Sequence, residues 1–166
     1  GIDKTHNPEF TMLEAYAAGW DYHDMMEFTE KLFETVAIDL FGTTQIRLTP
    51  EEGVSHVIDV KAPWKRLSMK EAILVHGHLN VDEMTDEQMK AHLLKQSHID
   101  PKGVHHAPRG ALISMLFEEF AEKHLIQPHH IIDHPIETTP LCKLHRDPQL
   151  RKEGFVERFE SFILGR

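Results

Sequence analysis

Between residues 64 and 126 the chain is punctuated as helix, and on both sides of that block it is patterned as strand. Ser68-x-x-Glu71 and Thr85-x-x-Gln88 have capping-box spacing, in which the first side chain accepts a backbone N–H and the fourth reaches back. They open helices near 69–75 and 86–97. Pro108 and Gly110 precede a third helix with the stripe Leu112, Met115, Leu116 and Phe120. A helical block set between strands restricts the chain to an α+β architecture rather than a bundle or a sandwich.

The flanks carry two periods. In residues 6–16, Phe10, Met12, Glu14 and Tyr16 alternate with Thr11, Leu13 and Ala15, which predicts a strand. Asp21 then caps a helix that runs to about Phe41, with Asp24 in its first turn. Its apolar stripe is Met25, Phe28, Leu32, Val36 and Leu40, widened by Phe33 and Ala37, while Glu27, Glu30, Lys31 and Glu34 face out. Gly42 terminates it. Short strands follow at 45–48 and 56–60, turning through Pro50-Glu51-Glu52-Gly53. Beyond the block, a strand at 129–133 ends before Pro135, residues 136–154 form a polar loop, and 155–164 form another strand. On that last strand Phe159, Ser161 and Ile163 share one face, and Glu160, Phe162 and Leu164 the other. The sheet is expected to be mostly antiparallel.

The 166 residues suit one domain, and 40% hydrophobic with 27% charged residues is a globular balance. A net charge of −9, with 18 scattered basic residues, argues against autonomous nucleic-acid binding, which needs clustered cations. The densest basic cluster, Lys143, His145, Arg146, Arg151 and Lys152, is broken by Asp147. No apolar run approaches the ~20 residues of a bilayer span. One cysteine, Cys142, excludes an internal disulfide and points to a cytoplasmic setting. Strand pattern reaches both ends and the first residue is Gly1, so a processed or excised segment is expected.

A carboxylate at Glu14, in line with Phe10 and Tyr16, suits a ligand with a flat ring at one end and an ammonium at the other; a charged hydrogen bond there would contribute roughly 1.5–3 kcal/mol. Spacing alone favours a solvated edge-strand carboxylate. Glu160 is a second carboxylate in apolar strand, suited either to magnesium or to a salt bridge with Arg158 or Arg166. The 14 histidines, among them His76, His78, His105, His106, His129, His130 and His134, lack zinc-site spacing and read as exposed and solvated. There is no P-loop, no Gly-x-Gly-x-x-Gly and no serine elbow, since Gly53-Val54-Ser55-His56 fails at its last position. Cys142, beside Lys143, reads as passive.

HNPEFTMLEAY followed by DYHDMMEFTEKLF resembles the second half of motif 2, and the helix after it, in the lysine-specific class II aminoacyl-tRNA synthetases. HLIQPHHIIDHPIETTPLCKLHRD, then VERFESFILGR, is similar to the strands leading towards motif 3 in that family. The resemblance frames the helical block, and the whole chain, 1–166, then corresponds to part of a class II catalytic domain with an insertion at about 64–126. It implies ATP as substrate with Mg2+, lysine as the amino acid, a homodimeric parent, and tRNA held through parts outside this chain. By position it places His6 and Asn7 at the ATP phosphates and Phe10 on adenine. It places Glu14 and Tyr16 at the lysine side chain and Glu160 at the metal. The catalytic residues stay unassigned, and the family's chemistry is electrostatic.

The departures bear on activity. The family's motif 2 arginine and glutamate would precede Gly1, its second metal carboxylate would follow Arg166, and Thr5 and Gly19-Trp20 replace usual residues. The isolated chain is therefore expected to be inactive. Two other readings are a truncated paralogue that lysylates a translation elongation factor and a non-catalytic synthetase-like binding module.

Overall fold

A computed structural model describes residues 7–49, 54–139 and 141–166. Helix α1, Tyr22–Phe41, opens at Asp21, whose side chain accepts the N–H groups of His23 and Asp24 while Asp24 reaches back to Asp21. It closes at Gly42 in the left-handed conformation, φ 69°, where a side chain would strain the backbone. The hairpin β1, Gln45–Leu48, and β2, His56–Asp59, pairs Gln45 with Asp59 and Leu48 with His56.

A second sheet has the order β3-β4-β5, with β3 Lys65–Ser68, β4 His129–Pro135 and β5 Phe155–Phe162. Strand β4 is parallel to β3 and antiparallel to β5, with an irregularity at Asp133, φ 59°. Two of the three strand pairings among the described residues are antiparallel, in line with the expectation, and the parallel β3–β4 pair is the exception to it. Residues 65–68, expected to lie in the helical block, are a strand. A parallel pair needs a long crossover, and the helices between Ser68 and His129 supply it.

Those helices are α2, Met69–Ala72, continuing as a π turn over Ile73–Gly77; α3, Asp86–Leu93; α4, Pro101–His106; and α5, Arg109–Phe120. Both capping boxes form as expected, with Ser68 accepting from Glu71 N and Thr85 from Gln88 N. Helix α4 and a short α6, Pro148–Lys152, were not expected; Asp100 and Asp147 cap them ahead of a proline. At the start of α5 a Cβ on Gly110 would stand 2.7 Å from Pro135 Cβ, so glycine permits the close approach to the end of β4.

The main core gathers Ile73, Met89, Leu93, Val104, Leu112, Leu116, Phe117 and Leu125 against Ile131 and Phe162 of the sheet. A smaller cluster joins Ala37, Ile58, Val60 and Trp64. Side chains paired across β4 and β5 share a face, and His130 pairs with Ser161 and Ile131 with Glu160. One face thus meets α1 and the other meets the helical block.

Helix α1 buries only part of the expected face. Ala37 is buried and Met25 and Leu32 are half-buried as expected, but Phe28, Val36 and Leu40 are exposed, Leu40 by 69%, and Met26 and Glu30 are buried instead. Glu30, expected in water, lies 3.4 Å from Arg66 and 3.3 Å from His130 Nε2. Apolar residues surround this helix, so periodicity allows two stripes. The Arg66 guanidinium on the sheet selects the one that contains a carboxylate.

Candidate functional site

Residues 7–20 lead into α1 and contain no strand, contrary to the expectation for 6–16. An alternating pattern becomes a strand only when a neighbour takes its backbone N–H and C=O groups. Among the described residues none does. Asn7, Phe10 and Glu14 are exposed, Phe10 by 67%, so the shared face of Phe10, Glu14 and Tyr16 does not form. His6 lies outside the described residues.

Tyr16 is also exposed, yet it lines a cleft of about 460 Å³ with Trp20, Tyr22, Met25, Cys142, Lys143, Glu157 and Phe159. Gly19, at φ 80°, turns the chain from this wall into the cap of α1. Asp21 uses Oδ1 for the cap and Oδ2 for Arg146 Nη2, 2.9 Å away. Arg146 also donates from Nε to Glu157 Oε1 at 2.5 Å and from Nη2 to Glu157 Oε2 at 3.2 Å. Its guanidinium lies 5.7 Å from the centre of the Tyr22 ring. Arg146 holds the Asp21 and Glu157 carboxyls below the usual carboxylate range, and the two acids raise the arginine in return. Burial, reinforced by the charges of Asp133 and Glu157, pushes the Tyr22 phenol up.

Glu160 faces the other side of β5. It is ion-paired with Arg158 and lines a cleft of about 210 Å³ with Ser114, Glu118, Glu122 and His134. Burial first, then the charge of Glu160, raises the Glu118 carboxyl, and burial raises Glu122 with help from both neighbours. Among the described residues no three His, Cys, Asp or Glu side chains are placed to hold a metal ion. The structure therefore brings Tyr16 to one cleft and Glu160 to another.

The histidines are corrected most. His129, His130, His134 and His145 are buried, and only some of the set, such as His78, His105 and His106, face water. His130 stacks on Trp64 at 5.0 Å and shares a hydrogen bond of 2.9 Å between Nδ1 and Ser161 Oγ. His145 lies 3.2 Å from Asp133. Cys142 is half-buried in the wall of the larger cleft. Arg146 went unnoticed in the sequence as more than one cation of a broken cluster; its acid partner Asp21 lies 125 residues away, beyond the reach of local pattern.

The family model for tRNA synthetases class II (D, K and N) matches residues 1–166. The chain belongs to this family. It is 46% identical over 167 residues to the lysine--tRNA ligases of Chlamydia caviae and Chlamydia felis, covering 100% of this chain and 31% of each relative. It is 43% identical over 164 residues to the lysine--tRNA ligase of Methanoculleus marisnigri, covering 99% of this chain and 30% of that protein. The chain thus spans about 31% of the length of these curated relatives. Membership rests on this end-to-end match and not on the expected strand face, which is absent. Among the described residues no helix is long and apolar enough to cross a membrane.

Proposed function

We propose that the chain is the part of a lysine-activating class II synthetase that carries its ATP- and lysine-reading segment, in a parent enzyme that joins lysine to tRNA. The identity to lysine--tRNA ligases over the whole chain carries this reading. Here His6 and Asn7 meet the ATP phosphates, Phe10 stacks on adenine, Glu14 faces the ε-ammonium of lysine and Tyr16 stands beside it. The exposure of Phe10, Glu14 and Tyr16 leaves each free to take a ligand or a neighbouring strand.

The lysine carboxylate attacks the α-phosphate of ATP, giving lysyl adenylate and pyrophosphate, and the lysyl group then passes to the tRNA 3′ end. The chain's own residues orient the two substrates, which makes attack effectively intramolecular. By the resemblance Glu160 would hold magnesium from this chain, but its carboxylate is paired with Arg158 on the face of β5 away from the Tyr16 cleft, so the described residues do not fit an ion shared with ATP bound there. On the same reading the block at about 64–126 is an insertion in a partial class II catalytic domain. The net charge of −9 supports holding tRNA mainly outside this chain. The parent is a cytoplasmic homodimer.

The test is amino-acid-dependent ATP–pyrophosphate exchange by the full-length protein. Lysine should support it where aspartate and asparagine, the family's other substrates by its description, do not. Glu14→Gln should raise the KM for lysine by ~10- to 100-fold, the worth of one charged hydrogen bond. Equal stimulation by aspartate or asparagine would sink the proposal.

A further inference from the structure

The geometry points to Arg146 as a positioning residue for amino-acid recognition: by clamping Asp21 to Glu157 it fixes the 15–20 segment, and with it Tyr16, over the aromatic cleft. This rests on the lysine-activating reading above, and it adds to that reading a residue 130 positions away in sequence from the one it positions.

Among the described residues the segment's other tie is Trp20, whose ring packs on Phe28 of α1 with 5.9 Å between ring centres, and it does not reach the sheet. Residues 7–17 form no ladder, and Tyr16 is 90% exposed. Its far end is the N-cap of α1, and Arg146 ties that cap to the sheet. Glu157 lies on β5, where its side chain accepts from both the backbone N–H of Arg146, at 2.8 Å, and the guanidinium. Its own N–H donates to Lys143 O at 3.2 Å, which fixes the loop carrying Arg146 to the same strand. The fork of a guanidinium can bridge two carboxylates in defined geometry, as a lysine ammonium cannot. Both carboxylates are held ionised by it. The cleft lined by Tyr16 is bounded by Asp21, Tyr22 and Glu157, all three in contact with the Arg146 guanidinium.

A residue that only supports the fold would lower thermal stability and leave the substrate constants alone. A positioning residue acts on KM for the ligand whose contacts it aligns, and weakening one such contact costs about tenfold. The experiment compares the full-length wild-type protein with Arg146→Gln, Arg146→Lys and Asp21→Asn. Asp21→Asn keeps an oxygen for the helix cap and removes the carboxylate from the clamp, so it remains informative should Arg146→Gln fail to fold. Arg146→Gln and Asp21→Asn should raise the lysine KM about tenfold, with kcat and the ATP KM within about twofold of wild type. Arg146→Lys, which keeps the charge and loses the fork, should recover part of that loss. Amide exchange over residues 15–25, followed by mass spectrometry, should quicken in Arg146→Gln.

An unchanged lysine KM in a folded variant, or a fall in kcat alone, overturns the assignment. A wild-type protein without lysine-dependent exchange would defeat the functional reading instead. In that event the amide exchange still decides the clamp: faster exchange over 15–25 supports it, and unchanged exchange overturns it.

Discussion

His130 stands where α1 meets the sheet, and its surroundings set its charge. Burial pushes its imidazole down to about 4, and the Arg66 guanidinium acts in the same direction. The Met26 backbone opposes them, and Glu30, which lies 3.3 Å from Nε2, also faces Arg66. An unfolded histidine binds its proton near pH 6.5, so between about 6.5 and 4 the unfolded chain holds more protons than the folded one. Stability therefore rises with pH through that window and is lost as pH falls, by about 3 kcal/mol from this residue. His76 and His134, also pushed down by burial, act the same way, whereas Asp133, Glu118 and Glu122, pushed up, lose their contribution as pH rises. His130→Phe keeps a ring against Trp64 and Phe159. It should flatten the fall in unfolding free energy between pH 6.5 and pH 4. An unaltered slope, measured by denaturant titration at several pH values, would show that another group carries it.

At the scale of elements, local chemistry decided where helices begin. Thr85 and Gln88 exchange backbone hydrogen bonds across the first turn of α3, at 3.3 and 2.8 Å, as their spacing implied. Thr85→Ala should destabilise the protein by ~1 kcal/mol, since one N–H at the helix start then lacks its acceptor. A melting temperature equal to wild type would contradict that. The same logic located Asp21, Gly42 and the capping box at Ser68. It failed where an element depends on a partner. Residues 6–16 alternate but have no described neighbour to pair with, and β3 is four residues long, too short for its pattern to compete with the helix beside it. The buried stripe of α1 was legible only once Arg66 and His130 were seen beneath it.

For the whole molecule, the sheet separates two chemistries. Helix α1 and the Tyr16 cleft lie towards one side, and Glu160 with its acidic neighbours lies on the other. The motif 2 arginine and the second metal carboxylate that the resemblance implies lie outside these 166 residues. Loss of even one donor such as that arginine costs ~10²–10³ in rate. The isolated chain should accordingly give negligible ATP–pyrophosphate exchange with lysine. Exchange near the full-length rate would refute this.

The sequence by itself determined the α+β class, the starts of α1, α2, α3 and α5, and the family, because caps, turns and motif residues act through neighbours a few positions away. The tertiary structure alone decided that β3 runs parallel to β4, that Glu30 and four histidines are buried, and that Arg146 joins Asp21 to Glu157. Each of these depends on groups brought together from distant positions, where burial and charge pairing outweigh local pattern.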